Sequence, residues 1–434
     1  MGLDVRGFVV GIIIWLYTKV FRKEAGPVTR NFMRNVVYVF IGLFVAKLLS
    51  LFFQIYVGRS IGAAEYGKYS FVFSVSQFLW VPMLMGVGMA TVKYLSSERD
   101  DRERKKIVST GTSIVIMFSL LFSAVFYLLA DALSVLVAAD RIYVLASILV
   151  AFTFSVWTFS QKLLQGLDRM KAIGVLNVAY SAVIVVASFL LLTVYRTSVA
   201  PVIAICIGYL ISSLVALPEM RRFFRPRIDR KWARILLGYG SIAFLAIFSS
   251  SISGNINQLL LNMFLDFGSI GVYQAYYLST IGVVTFFVNI IVTVFFPESS
   301  RYENKSVIFG QMRKLFIVSP VVYLTVCAAS FVIITLYGSG YPMMPDLILE
   351  FALATVTVFL YTIYNVFSAS FGVTGIKVTT ASLVIISAIA ITSSWTLIPV
   401  MGIHGAVASL IVSNTAGLVA IYVMIKRFLI PAGR

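Results

Sequence analysis

The chain has 434 residues, of which 60% are hydrophobic and 12% are charged, and its mean hydropathy is +0.97. These values exclude an ordinary water-soluble protein, in which apolar residues make up about 45–50% of the chain. The formal net charge of +18 would suggest nucleic-acid binding in a soluble protein. In this chain the distribution of that charge indicates membrane topology instead.

The elements predicted along the chain are apolar runs, most of them near the ~20 residues that span a bilayer as a helix. Residues 7–21 precede them and are short for a span. We expect either a helix lying in the membrane or a thirteenth span there, and not a removed signal peptide. Twelve runs follow, at residues 35–58, 69–92, 108–130, 142–161, 173–194, 199–218, 235–265, 271–297, 315–337, 347–371, 378–399 and 403–425.

Lysine and arginine residues are concentrated in alternate connections between these runs. Thirty lie on the side of the N-terminal segment, four lie on the other side, and Lys47 lies within a run. This positive-inside bias predicts a multi-pass protein of the cell (plasma) membrane with both termini cytoplasmic, unless residues 7–21 span. The basic side is then expected to contact anionic lipid headgroups rather than nucleic acid.

An internal repeat is visible in the connections. The motif Gly62-x-x-Glu65-Tyr66-Gly67-x-Tyr69 follows the first run, and a reduced copy, Asp266-x-x-x-Ile270-Gly271-x-Tyr273, follows the seventh. Six runs separate the copies, so both halves have the same orientation in the membrane, as in a parallel repeat. A second pair at a similar interval is Gly166-x-x-x-x-Lys171 and Gly372-x-x-x-x-Lys377.

The predicted fold is therefore an all-α polytopic membrane protein with about 12 transmembrane helices. The helices form two parallel-repeat six-helix lobes around a central cavity. We expect an N-terminal membrane-associated or short spanning segment at 1–30, an N-terminal lobe at 31–222 and a C-terminal lobe at 223–434. The densest basic connection, at 221–234, joins the two lobes.

The Gly62 motif resembles a stretch of the polysaccharide and O-antigen flippases. These proteins are the lipid-linked oligosaccharide branch of the multidrug/oligosaccharidyl-lipid/polysaccharide exporter superfamily. The likeness covers roughly residues 31–428 and includes two weaker motifs, Gly166-x-x-x-x-Lys171 and Gly402-x-x-Gly405-Ala406. The resemblance implies two six-helix lobes around a cavity that opens alternately to each side of the membrane.

Polar residues recur on one face of the first and seventh runs and predict the lining of that cavity. Lys47 lies about 16 Å from either end of its run, where a cation is expected to face protein or water. The alternative is that the polar residues hold helices together and that Lys47 has a buried partner. The candidate substrate-binding residues are Lys47, Ser50, Gln54, Gln77, Ser251, Asn255, Gln258 and Asn262.

A lysine at this depth, with no carboxylate near it in the sequence pattern, favours an anionic substrate, because lysine binds phosphate as a point charge. We therefore predict a flippase that moves a lipid-linked anionic oligosaccharide of the polyprenyl-phosphate type by alternating access, for cell-surface polysaccharide or glycoconjugate biosynthesis. One alternative is a cation-coupled multidrug antiporter of the same fold, which is expected to keep acidic groups in its pocket. The other is an integral-membrane glycosyltransferase or glycan polymerase.

The sequence gives little support to catalysis. It has no phosphate-binding Gly-Lys-Ser loop, and its one histidine, His404, and two cysteines, Cys206 and Cys327, cannot build a metal or Cys–His centre. We expect a monomer that is not an enzyme and holds no cofactor or metal. Its expected partners are the lipid-linked oligosaccharide and membrane lipids.

Overall fold

The computed structural model describes residues 27–225, 227–288 and 305–430, with side chains from residue 42 onward. Within these ranges the chain forms helices and no strand, which confirms the predicted all-α class. The segment 7–21, for which a short membrane helix or a thirteenth span was predicted, lies outside the described residues.

The first half of the chain begins with two helices that follow one another directly. Together they form α1, 58 residues in two arms that meet at Gly62, whose φ of 78° and ψ of 169° are not helical. The first two predicted runs are therefore the two arms of one broken helix. The helices described here are α1 (Pro27–Leu84), α2 (Val87–Ser97), α3 (Asp101–Leu128), α4 (Ala130–Leu136), α5 (Arg141–Gly166), α6 (Met170–Val194), α7 (Val199–Ser213) and α8 (Leu217–Phe223).

The second half begins with another long helix, α9, of 35 residues. The next helix, α10, continues through a π-helical turn at Leu278–Gly282 as far as Val288. The helices described in this half are α9 (Arg230–Phe264), α10 (Phe267–Tyr277), α11 (Lys305–Met312), α12 (Leu315–Tyr337), α13 (Pro345–Ala369), α14 (Gly372–Met401) and α15 (Ile403–Met424).

Among the described residues, eleven helical segments are long and apolar enough to cross a membrane. The first of them, Gly42–Leu84, has 43 residues, about twice the length that one crossing requires. Because it is broken at Gly62, it supplies two crossings, and the segments match the twelve predicted runs. The chain is a multi-pass membrane protein.

The bundle has two chemically different ends. One end carries connections rich in lysine and arginine, including residues 98–106 and 221–234, and is named the basic end. The other is named the Gly62 end, because Gly62 lies there beside the contact between α1 and α10. The positive-inside bias predicts that the basic end faces the cytoplasm.

Helix packing repeats between the two halves. Helix α1 packs against α6, as α9 packs against α14 six crossings later. In the same way α7 packs against α5 and α6, and α15 packs against α13 and α14. This pattern agrees with the predicted pair of parallel six-helix lobes. Helix α9 also contacts the first half, where Leu236 is buried in a cluster with residues of α1, α2, α3 and α5.

The halves meet at the Gly62 end through a reciprocal contact between backbones. Gly67 lies against the carbonyl of Phe267, and Gly271 lies against the carbonyl of Ala63. Gly67 and Gly271 are equivalent in the repeat, as are Ala63 and Phe267, because both pairs lie 204 residues apart. Such reciprocity is expected across a pseudo-two-fold axis. A Cβ atom at either glycine would overlap the carbonyl oxygen that faces it.

A second close approach occurs toward the basic end, where α9 crosses the junction between α1 and α2. Gly86, with a φ of +66°, lies at this junction against the carbonyl of Gly240. Gly240 in turn lies against the carbonyl of Met85. This contact holds the first helix of the second half against the first half, and it forms the boundary of the cavity described below.

We expect the substitution Gly240→Ala to lower the apparent Tm of the purified protein in detergent. Its methyl group would overlap the carbonyl of Met85, and overpacking of this kind costs about 1–3 kcal/mol. The matched control is Gly238→Ala, one half-turn away with no neighbouring atom within 4 Å, where alanine improves helix propensity. Equal Tm values for the two variants would contradict the packing described here.

Candidate functional site

A cavity of about 460 Å³ lies among α1, α2, α5 and α9, on the basic-end side of the contact between Gly67 and Phe267. It is open, because Met89 and Ser250, which line it, are exposed. Trp80 forms part of its apolar wall. No carboxylate occurs among its described lining residues, and its polar lining consists of Gln77, Thr158, Lys162, Ser250, Ser251 and Asn255.

Three of the eight residues predicted to bind substrate meet in this cavity: Gln77, Ser251 and Asn255. The Nδ2 atom of Asn255 donates to the backbone oxygen of Ser251 at 3.0 Å. The Oε1 atom of Gln77 accepts a hydrogen bond from Nε1 of Trp80 at 3.1 Å. Its Nε2 atom makes no hydrogen bond with the part of the chain that the structure describes.

Ser50 and Gln54 instead use their polar groups within the first half. Ser50 Oγ lies 3.1 Å from Ser181 Oγ and joins α1 to α6. Gln54 Oε1 accepts a hydrogen bond from Tyr66 Oη at 2.8 Å, and Gln54 Nε2 donates to Tyr69 Oη at 3.3 Å. In this conformation Ser50 holds α1 against α6, and Gln54 holds the two arms of α1 together, which is the alternative that the sequence left open.

Gln258 and Asn262 also lie outside the cavity. Gln258 Nε2 donates to Oε1 of Gln274 and joins α9 to α10. Asn262 Nδ2 donates to the carbonyl oxygens of Val137 and Ala138, at 2.9 and 3.0 Å, and so connects the two halves of the chain. The polar stripe of α9 therefore runs from the cavity, at Asn255, into the contact between the halves.

Lys47 is partly buried and does not line the cavity described above. Viewed along the axis of α1, the Lys47 position is rotated about 60° from that of Ser50, which contacts α6. It is rotated by about the same angle, in the opposite direction, from the position of Phe44. The ring of Phe44 packs at 5.6 Å from Phe286, in the helical segment that prolongs α10. The Lys47 position on α1 therefore lies between one that contacts α6 and one that contacts the second half. Its role in substrate binding stays a prediction.

The Gly62 end is closed by tyrosines from both halves. Tyr66 Oη lies 3.3 Å from Tyr337 Oη, and Tyr341 Oη donates to the carbonyl of Gly58 at 3.1 Å. All three tyrosine side chains are buried. Together with the glycine contact between α1 and α10, they form a seal at this end of the molecule.

Two of the described carboxylates lie together, apart from the cavity. Glu350 Oε2 lies 2.9 Å from Nδ1 of His404, and Asp346 Oδ2 lies 3.5 Å from Nε2 of the same ring. Their helix, α13, follows Tyr341 of the seal, so these side chains lie toward the Gly62 end. The histidine therefore has a structural partner, and this acidic pair offers no counter-charge to the cavity.

Sequence reasoning missed Lys162 and Thr158. Lys162 was counted among the basic connections, but it lies within α5, four residues before the last residue of that helix, and lines the cavity. Thr158 lies one turn earlier on the same helix face and lines it too. Their spacing of four residues on an apolar run is the sequence signal that could have found them.

Known sequences indicate the family. The sequence profile of the polysaccharide biosynthesis proteins matches residues 32–303, which is more than half of the chain. The chain belongs to the polysaccharide biosynthesis protein family. This membership confirms the resemblance carried by the Gly62 motif. No curated protein matches the chain by sequence.

Three of the solved structures with a similar fold are two MATE family transporters and a lipid II flippase. An inward-facing multidrug resistance MATE family transporter of the MOP superfamily has a TM-score of 0.69 at 15% identity, covering 88% of this chain and 94% of its own. The lipid II flippase MurJ, in an inward closed conformation, has a TM-score of 0.62 at 15% identity, covering 90% and 87%. An outward-facing MATE family transporter has a TM-score of 0.60 at 11% identity, covering 91% and 95%. At these identities the similarity shows the fold alone.

We expect Gly271→Ala to loosen the seal, because its methyl group would overlap the carbonyl of Ala63. Deuterium uptake of residues 56–70 and 263–275, measured by mass spectrometry in detergent, should rise. The control is Gly254→Ala, on α9 with no neighbouring atom within 4 Å, which should leave that uptake unchanged. Unchanged uptake in both variants would contradict a seal that depends on this contact.

Proposed function

We propose that the protein is a flippase that moves a lipid-linked anionic oligosaccharide of the polyprenyl-phosphate type across the cell membrane, for cell-surface polysaccharide or glycoconjugate biosynthesis. One observation carries this proposal: an open polar cavity with a lysine and, among its described lining residues, no carboxylate. Membership of the polysaccharide biosynthesis protein family supports a glycan-containing substrate. The fold shared with a lipid II flippase supports translocation of a lipid-linked molecule.

The composition of the cavity suits such a substrate. Gln77, Ser251 and Asn255 offer amide and hydroxyl groups that can hydrogen-bond to sugar hydroxyls. A phosphate group is too costly to bury in hydrocarbon without compensating charge, and a lysine supplies that charge. The lipid tail stays in the bilayer while the headgroup crosses through the cavity.

Alternating access would change which polar residues the substrate meets. Asn262 binds carbonyl groups of the other half, so separation of the halves at the Gly62 end would release its amide. Gln54 is bonded to Tyr66, which contacts Tyr337 across the same boundary. We propose that Gln54, Gln258 and Asn262 line the cavity when the Gly62 end is open, and that Lys47 holds the phosphate near the middle of the membrane, beside Ser50.

The basic end and both termini face the cytoplasm, following the positive-inside bias, so the conformation described here receives substrate from the cytoplasmic side. The two lobes, 31–222 and 223–434, rock about the seal as a monomer. The protein performs no catalysis and uses no cofactor.

The test is translocation in reconstituted liposomes, measured as the fraction of lipid-linked oligosaccharide protected from an external glycan-modifying reagent. We expect Lys47→Ala to slow translocation about tenfold, the loss typical of one charge-assisted hydrogen bond. Lys47→Arg keeps the positive charge and should retain most of the rate. Lys314→Ala, at an exposed lysine of the basic end, is the control and should match wild type.

Two results would contradict different parts of the proposal. Absence of translocation by the wild type, together with gradient-dependent uptake of a cationic dye by the same liposomes, would identify a multidrug antiporter instead. Wild-type translocation by a folded Lys47→Ala variant would leave the flippase function in place and remove Lys47 from its mechanism.

A further inference from the structure

Lys162 is a cation without a counter-charge in the part of the chain that the structure describes. Its Nζ atom lies 3.4 Å from Oε1 of Gln165, an uncharged acceptor at a long hydrogen-bonding distance. Its side chain is partly buried, and it is the one charged residue among the described lining residues of the cavity. An ammonium group in low dielectric without a counter-charge is costly, so this position favours binding of an anion.

Two further polar groups of the same cavity lack partners among the described residues. Gln77 Nε2 and Thr158 Oγ1 are buried and make no hydrogen bond there. Most buried polar side-chain atoms in proteins are hydrogen-bonded, so both groups require an explanation. The amide nitrogen and the ammonium group are obligate donors, and the hydroxyl can also donate. All three donors belong to residues that line the cavity, and donors of this kind suit the acceptor oxygens of a phosphate group.

The position of Lys162 is fixed by its neighbours and differs in depth from that of Lys47. A Cβ atom added at Gly88 would lie 3.1 Å from Cγ of Lys162, so the stem of the lysine crosses α2 where α2 has no side chain. Lys162 lies four residues before the end of α5, about 6 Å along the helix axis. It is therefore close to the basic end, whereas Lys47 lies near the middle of its crossing.

The groups that favour an anion all belong to the first half of the chain. Gln77 is on α1, and Thr158 and Lys162 are on α5. The opposite wall, on α9, contributes Ser251 and Asn255 without any charge. Movement of the second half would therefore leave the three donors together, so that a phosphate bound to them would stay bound while α9 changes position.

We propose that Lys162, Gln77 and Thr158 form a loading site, at the basic end of the cavity, for the phosphate or diphosphate group of a polyprenyl-linked oligosaccharide. The phosphate binds there before it reaches Lys47. This inference rests on the proposed function, which makes the lipid-linked oligosaccharide the source of the phosphate. An anionic phospholipid or free pyrophosphate presents the same chemistry, and the experiment must separate these sources.

The test measures binding to the full-length protein in nanodiscs of neutral lipid by native mass spectrometry, which identifies the bound molecule by its mass. The probe is a short-chain polyprenyl diphosphate, and the uncharged polyprenol of equal length is its reference. We expect Lys162→Gln to weaken diphosphate binding about tenfold and to leave polyprenol binding unchanged. Lys162→Arg should retain most of the affinity.

Two variants guard against general effects of substitution. Thr158→Val removes one donor without changing charge, and we expect a loss of about threefold in diphosphate affinity. Lys93→Gln is the control, because Lys93 is an exposed lysine near the same end that stacks on Tyr239 and does not line the cavity. It should bind the diphosphate as tightly as wild type, and all variants must share the wild-type Tm.

The outcomes separate this inference from the proposed function. Wild-type affinity of Lys162→Gln for the diphosphate would overturn the loading site, even where the wild type translocates lipid-linked oligosaccharide. Lys162-dependent binding of phosphatidylglycerol or soluble pyrophosphate as tight as that of the polyprenyl diphosphate would overturn it too. Lys162-dependent binding of the diphosphate by a protein that translocates no oligosaccharide would keep the phosphate site and overturn the flippase function.

Discussion

The architecture depends on one close contact, in which the backbones of α1 and α10 touch at Gly67 and Gly271. Side chains of any size at these positions would force the halves apart at the Gly62 end. Because the two halves are repeats, each half contributes one glycine and one backbone carbonyl to the same contact. The tyrosines that surround it complete the seal, and the open cavity lies on its basic-end side. Closure of the Gly62 end is thus a consequence of how closely two helices approach.

A second constraint is that polar groups within a membrane need partners. The stripe on α9 meets this requirement in two ways along a single helix. Asn262 bonds to carbonyl groups of the other half, whereas Asn255 lines the cavity. A conformational change that moves the opening to the other end must therefore exchange protein partners for water or substrate at some residues. The contact between the halves and the lining of the cavity thus draw on one polar stripe.

Much of the fold could be predicted because the hydropathy of each segment indicates whether it spans the membrane, and the charge of each connection indicates its side. The twelve runs and the basic end follow from them. The first two runs were predicted with a connection between them, whereas in the structure they are two arms that meet directly at Gly62. The site was only partly predictable. Periodicity identifies the polar face of α9, but it does not show which residues of that face line the cavity and which pack against other helices. Gln258 was therefore grouped with Ser251, although only Ser251 lines the cavity. Lys162 was missed because a basic residue near a helix end was assigned to topology alone.

The two lysines give the proposed pathway a direction. Lys162 lies near the basic end, Lys47 is predicted to lie near the middle of the membrane, and neither has a counter-charge among the residues described. Both are fixed to helices of the first half, so their charges do not cross the membrane with the substrate. A phosphate passing from the cytoplasm would therefore carry its own negative charge through the field. With the cell interior negative, that movement is favoured by about 2.3 kcal/mol per charge and 100 mV, a driving force that requires no coupled ion.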